Sequence, residues 1–229
     1  VTPPPSRPDG GLAGLLRRLD AWLVDAPARR PSGWIGRRRF GGERGAPRDH
    51  EPTFDRLLEQ AGPLEGRRVL DVGCGGGRLL ERVLDAGAAF AAGLDHSPDM
   101  VALAGERNRD AIERGVLQLA LGDAESLPWP DGAFYVAFCA NMLFFAERPQ
   151  RMLGEIFRVL SPGGRLVLAT VEGPLPRVTL RQWWVYVWGR AMHVHSDEQL
   201  RTMFEHAGFG GARVRSVNGL QLGFGVRPD

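Results

Sequence analysis

Four glycines within five positions, Gly73, Gly75, Gly76 and Gly77, follow the short apolar run Val69-Leu70-Asp71-Val72. Leu79, Leu80, Val83 and Leu84 then recur at helical spacing, so the stretch reads as strand, tight turn and helix. Glycine accepts positive φ and has no side chain to hold a ligand away. The N–H groups of an opening helix favour negative or electron-rich atoms, so a ligand can lie here against bare backbone. Asp95 ends a second apolar run, Ala91-Ala92-Gly93-Leu94, 22 residues beyond Gly73. A carboxylate at that spacing can accept from both hydroxyls of a ribose. The alternative is a cap for the helix opening near Pro98, although Ser97 is the better cap.

These residues need a scaffold that brings strand ends together. Apolar runs suggest strands at 68–73, 90–95, 116–121, 134–140 and 165–171, with helices near 52–61, 78–86, 98–109 and 149–160. Such alternation implies right-handed crossovers and a parallel sheet, with ligands outside the carboxyl ends of its strands. The end of the chain differs. A helix at 197–207 is followed by two strand-like runs, Val214–Val217 and Leu220–Val226, around Asn218-Gly219. Asn-Gly is a strong two-residue hairpin signal because both turn positions need positive φ.

A dinucleotide fingerprint would need a third glycine at position 78, where Arg78 stands. An acid two residues before G-x-G-x-G resembles instead the loop of the class I S-adenosylmethionine (SAM)-dependent methyltransferases. The chain is most similar to their small-molecule branch, which includes the quinone-biosynthesis enzymes (methyltransferase type 11). Gly122-Asp123-Ala124-Glu125-Ser126-Leu127-Pro128-Trp129-Pro130-Asp131-Gly132 and Leu160-Ser161-Pro162-Gly163-Gly164 are similar to two further segments of that family, so the likeness spans most of 67–171. The terminal hairpin, on an otherwise parallel sheet, agrees with the same fold.

The resemblance implies a three-layer, Rossmann-like α/β fold with a mostly parallel seven-stranded sheet and a C-terminal antiparallel hairpin. It implies that SAM is held by Asp71, Gly73, Cys74, Gly75 and Gly77 of the loop, with Asp95 on the ribose. His96 and Met100 resemble positions that pack on adenine. Asp123 would accept from the adenine amino group, the Ala124 N–H would donate to the ring, and Ala140 would close the cofactor side at the fourth strand.

SAM brings its own electrophile, a methyl group displaced in line, so the protein must exclude water, align the acceptor and, for a neutral acceptor, remove a proton. No metal or covalent intermediate is needed. Where many small-molecule members carry a histidine pair, this chain has Phe144-Phe145, an apolar wall without a base. Either the acceptor needs little help or His193 and His195 supply the base from the other side; a hydrogen-bonded loop pair is the alternative reading of those histidines. Trp183, Trp184 and Trp188 in an insertion over 173–195 suit an aromatic or apolar acceptor, with Trp34 as a further contact. A buried helix or a homodimer contact would use the same aromatics. The expected activity is methyl transfer to a small aromatic or apolar metabolite, with a SAM-binding cyclase or decarboxylase as the alternative. A nucleic-acid acceptor is not expected, because Cys139-Ala140-Asn141-Met142 lacks the Asn/Asp-Pro-Pro-aromatic motif that grips a flipped base.

Composition bounds the rest. The 229 residues carry a net charge of +2, and every one of the 29 basic residues is arginine, which excludes lysine nucleophiles and Schiff bases. Two cysteines build no disulfide framework, and no apolar run reaches transmembrane length, so a cytoplasmic protein without stable membrane insertion is expected. Residues 1–10 read as a disordered Pro-rich tail and 11–62 as a helical cap or lid. That segment includes a Leu12, Leu15, Leu16, Leu19, Trp22, Leu23 stripe and an Arg-rich stretch; 63–229 form the methyltransferase domain.

Overall fold

The computed structural model describes residues 51–171, 194–217 and 220–229. Its elements run α1 (Glu51–Ala61), β1 (Arg68–Val72), α2 (Arg78–Asp85), β2 (Phe90–Asp95), α3 (Pro98–Arg107), α4 (Arg109–Glu113), β3 (Leu117–Leu121) and β4 (Phe134–Ala140). A 3-10 turn (Leu143–Phe145), α5 (Pro149–Val159), β5 (Leu160–Val171), α6 (Asp197–His206), β6 (Gly210–Val217) and β7 (Leu220–Val226) follow. The strands form one sheet in the order β3-β2-β1-β4-β5-β7-β6. The first five strands are parallel, and β7 runs antiparallel to both β5 and β6. The expected fold class holds, including the terminal hairpin; Asn218 and Gly219 themselves lie outside the described residues.

The strands are continuous apolar runs because helices cover both faces. On one face Leu70, Val72, Ala92, Leu94 and Leu168 pack against Leu153 and Ile156 of α5 and Leu200 and Phe204 of α6. On the other, Val69, Ala91, Val136 and Val167 meet Leu57 and Ala61 of α1 and Leu79, Leu80 and Val83 of α2. Thus α1, expected as the last part of the N-terminal segment, contributes two fully buried side chains to the core. Local chemistry fixes the helix starts. Ser97 caps α3 with Pro98 in its first turn, and Ser196 and Gln199 form a reciprocal capping box on α6.

Three boundaries depart from the sequence reading. β5 begins at Leu160 rather than 165, because Ser161-Pro162-Gly163-Gly164 is carried as an irregularity between the pairs Phe134↔Leu160 and Val136↔Arg165. A side chain at Gly164 would start 2.7 Å from the Ser161 carbonyl oxygen, so the irregularity needs glycine there. β6 begins at Gly210 rather than 214, with its own register shift before Arg213. The helix expected over 98–109 breaks at Asn108. The Pro-rich tail, the rest of 11–50 and nearly all of the aromatic insertion lie outside the described residues. Among the described residues, no helix is long and apolar enough to cross a membrane.

Candidate functional site

The glycine loop connects β1 to α2 at the carboxyl edge of the sheet. Gly73, Gly75 and Gly77 have φ of 78°, 50° and 77°, a left-handed region that side chains enter at a cost. The tightness has a second source at Gly73, where a Cβ would stand 2.6 Å from Cγ of Met142. Gly75 instead opens onto space, with nothing within 4 Å of a Cβ placed there.

The loop's amides are more committed than the sequence suggested. The N–H groups of Gly73 and Cys74 both donate to the Leu94 carbonyl, at 2.8 and 3.0 Å, and that of Gly77 donates to the Cys74 carbonyl at 3.0 Å. The Gly75 N–H donates to Asp95 Oδ2 at 2.9 Å. Four donors thus fold the loop onto itself and onto β2.

Asp95 is 6% exposed. Its other oxygen accepts from the Ser97 N–H at 2.9 Å, and Nδ1 of His96 lies 3.6 Å from the same oxygen. Ser97, not Asp95, caps α3. Each carboxylate oxygen carries two acceptor sites, so Asp95 can hold the loop and still accept from a ligand's hydroxyls.

A cavity of about 340 Å³ opens beside these groups, lined among others by Gly73, Asp95, His96, Asp123, Ala124 and Phe145. Asp123 closes on the following turn by accepting from the Glu125 N–H at 2.9 Å. Leu121, at 56% exposure, forms an apolar wall at the end of β3, directly paired with Asp95 in the sheet. Ala146, Glu147 and Arg148 complete the far side.

Asp71 is the unusual group. It is 2% exposed, and its Oδ1 has no hydrogen-bond partner among the described residues. Burial, reinforced by the nearby Asp95 carboxylate, pushes its pKa up from 3.8 to about 7. The same burial acts on the two free thiols. Cys139 is pushed up to about 12, with Asp71 as the second cause, and Cys74 is raised well above its ordinary value. Neither thiol is a nucleophile at neutral pH.

The remaining expected site residues divide. Phe145 lines the cavity, whereas Phe144 is 6% exposed and packs on Phe145 with ring centroids 4.4 Å apart. Ala140 ends β4 and pairs with Ala169. Met100 is 1% exposed and is not among the cavity's lining residues. The His195 carbonyl accepts from Gln221 Nε2 at 3.3 Å, next to the Asp197 carboxylate that takes Ser216 and Gln221. Trp34, Trp183, Trp184, Trp188 and His193 lie outside the described residues. No group of three or more metal-ligating side chains occurs among the described residues.

Sequence reasoning missed Leu121, Met142 and an arginine network that fixes the cavity's outer wall. Glu125, 6% exposed, accepts from the Arg148 N–H at 2.8 Å and from Arg148 Nε at 2.6 Å. Arg158 donates to the Trp129 and Leu127 carbonyls and to Asp131 and Glu155, and its hydrogen bond is the main reason that Glu155 titrates below its ordinary range. Apart from the i,i+3 pair of Arg158 with Glu155, these pairings join residues 23 to 31 positions apart and leave no local pattern.

Residues 70–168, which span the loop, Asp95, Asp123 and β4, match the family described as "Methyltransferase domain". Over those residues the chain is similar to a methyltransferase domain, and its seven-stranded sheet is that of the class I fold. The cofactor of this domain family is SAM. A tRNA U34 carboxymethyltransferase of Methylococcus capsulatus is 37% identical over 166 residues, covering 71% of this chain and 51% of that protein. A demethylmenaquinone methyltransferase of Thermus thermophilus is 40% identical over 127 residues, covering 54% and 53%. The chain thus spans about half the length of these relatives. The solved structure of the (4+2)-cyclase SpnF superposes with a TM-score of 0.67 at 22% identity, covering 94% of this chain and 96% of that one, a likeness of fold. The methyltransferase domain's own residues fit the cofactor. A buried carboxylate with one oxygen that lacks a hydrogen-bond partner among the described residues, an open glycine face and a second strand-end acid together suit a cationic nucleoside.

Proposed function

We propose that this chain methylates a small acceptor with an aromatic or apolar body, using SAM. The observation that carries the reading is one cavity lined by Asp95, Leu121, Asp123 and Phe145, with Met142 packed against Gly73 in its wall. SAM, when bound, supplies a methyl group on a sulfonium that departs as a neutral thioether. The protein's part is to hold and to shield. Asp95 accepts from the ribose hydroxyls, Asp123 from the adenine amino group, and Asp71 gives its unused oxygen to the cationic end of the ligand. Phe145 keeps water from the acceptor side, where a dry wall strengthens every charge interaction. His195, with His193, is the proposed base for an acceptor that must lose a proton; a thiol or amine acceptor dispenses with it. Two buried thiols suit a reducing compartment, and we place the protein in the cytoplasm.

A second reading, SAM-dependent chemistry without methyl transfer, is favoured by the Phe144-Phe145 pair where a base would stand and by the fold shared with a cyclase. RNA is the acceptor class that the tRNA-modifying relatives suggest; the missing Asn/Asp-Pro-Pro-aromatic motif speaks against it. Incubation with methyl-labelled SAM and, in separate reactions, a small-molecule extract and bulk tRNA separates the three. Label in the organic fraction with S-adenosylhomocysteine release is expected. Label in tRNA would replace the acceptor class, and tight SAM binding without turnover on either would favour the second reading.

A further inference from the structure

The break between α3 and α4 touches the glycine loop from outside. Asn108, 5% exposed, uses its amide nitrogen twice, donating to the Gly77 carbonyl at 3.1 Å and to the Ala104 carbonyl at 3.0 Å. The preceding residue, Arg107, donates from Nε to the Gly76 carbonyl at 2.8 Å, and its guanidinium reaches Glu81 of α2 at 4.0 Å. Two consecutive residues at the end of one helix therefore hold two consecutive carbonyls of the loop. The fit is close, because a Cβ at Gly77 would stand 2.5 Å from Asn108 Nδ2 and 2.9 Å from the Ala104 Cβ.

This anchor is separate from the one on β2. Leu94 and Asp95 hold the loop's N–H groups from the cavity side, whereas neither Arg107 nor Asn108 lines the cavity. A peptide plane points its C=O and N–H in opposite directions. Drawing the carbonyls of Gly76 and Gly77 toward α3 keeps their lone pairs away from a ligand's carboxylate. A run of glycines has wide conformational freedom, and a ligand binds only the fraction of molecules in the competent conformation, so its apparent affinity falls with that fraction.

We infer that Arg107 and Asn108 are positioning residues for the cofactor: they hold the glycine loop in its binding conformation through the carbonyls of Gly76 and Gly77. The inference rests on the SAM reading given above. A purely architectural role is a poor account of Arg107, since α3 is already secured by its Ser97 cap and by buried Met100 and Ala104, and Arg107 is only half-buried.

The test uses Arg107→Met, which keeps the aliphatic stem, and Asn108→Ala. Calorimetric titration with S-adenosylhomocysteine and with 5′-methylthioadenosine compares two ligands that share the nucleoside and differ in the amino-acid end. Loss of a hydrogen bond from a charged donor predicts that Arg107→Met binds S-adenosylhomocysteine about tenfold more weakly, with 5′-methylthioadenosine affected less than about threefold and the melting temperature nearly unchanged. Asn108→Ala should show the same ligand preference with some loss of melting temperature, because the Ala104 contact goes too. Unchanged affinity for S-adenosylhomocysteine in Arg107→Met, or an equal loss for both ligands, would overturn the inference. Wild-type protein that binds neither ligand would overturn the SAM reading as well.

Discussion

Replacing Asp71 with asparagine should stabilise the ligand-free protein at alkaline pH and leave it nearly unchanged in mild acid. Burial beside Asp95 lifts the carboxyl from 3.8 to about 7. An acid raised in the folded state binds more protons folded than unfolded, so stability falls as pH climbs from the unfolded to the folded value. The full penalty above pH 7 is about three units, or roughly 4 kcal/mol, and at pH 5 it is only about 1.5 kcal/mol. Asparagine does not titrate, but it brings a buried amide whose donors cost about 1–3 kcal/mol when unsatisfied. The net expectation is a gain of about 2 kcal/mol at pH 8 and about zero at pH 5. For a domain of this size that is a rise in melting temperature of about 4–8 °C at pH 8. Thermal unfolding by circular dichroism at the two pH values, without ligand, measures it. An identical difference at both would refute the argument, because Asp71 would then not be titrating in this range.

Asp95→Ala removes both the ribose acceptor and the partner of the Gly75 N–H, so SAM affinity measured by calorimetry should fall at least 10- to 100-fold. Gly73→Ala should destabilise by about 1–3 kcal/mol in denaturant titration, and Met142→Ala in the same chain should recover part of that by removing the 2.6 Å contact, leaving the cost of positive φ. Cys139 should resist a thiol reagent at pH 8 in the native state, since with its pKa near 12 only about one molecule in ten thousand is thiolate. Arg158→Met, which frees the Trp129 and Leu127 carbonyls and leaves Glu155 without its main partner, should cost roughly 2 kcal/mol in urea unfolding, less in high salt.

Much of this architecture was legible because the signals are local. The apolar runs, the Ser97 and Ser196 caps and the glycine spacing each act within a few residues, and the sheet order follows once βαβ units are recognised. Asp95 was found for the same reason, as an acid closing a strand. What escaped is what tertiary structure decides. Asn108 looks like an ordinary helix interior residue until its amide meets Gly77, 31 positions earlier. Leu121 looks like core, yet it stands half-open over the cavity because β3 is an edge strand. The fifth strand reads from the sequence as starting at 165, but Leu160 already pairs with Phe134, and the Arg227 backbone bonds Gly163 and Gly164, which keeps the Ser-Pro-Gly-Gly run in the sheet.

β7 lies between β5 and β6, although both precede it in the chain. Because synthesis is vectorial, the edge of β5 and the whole of β6 leave the ribosome before the strand that joins them exists. Up to that moment β6 has no strand to pair with and the outer edge of β5 is bare, although α6 can already pack on the sheet face through Leu200 and Phe204. Completion therefore waits for residues 220–226 and for Arg227, whose guanidinium fastens onto the carbonyls of Phe157, Arg158 and Leu160. Loss of even this short stretch would leave all of β6 without a pairing strand, which makes β7 the keystone of assembly rather than an appendage.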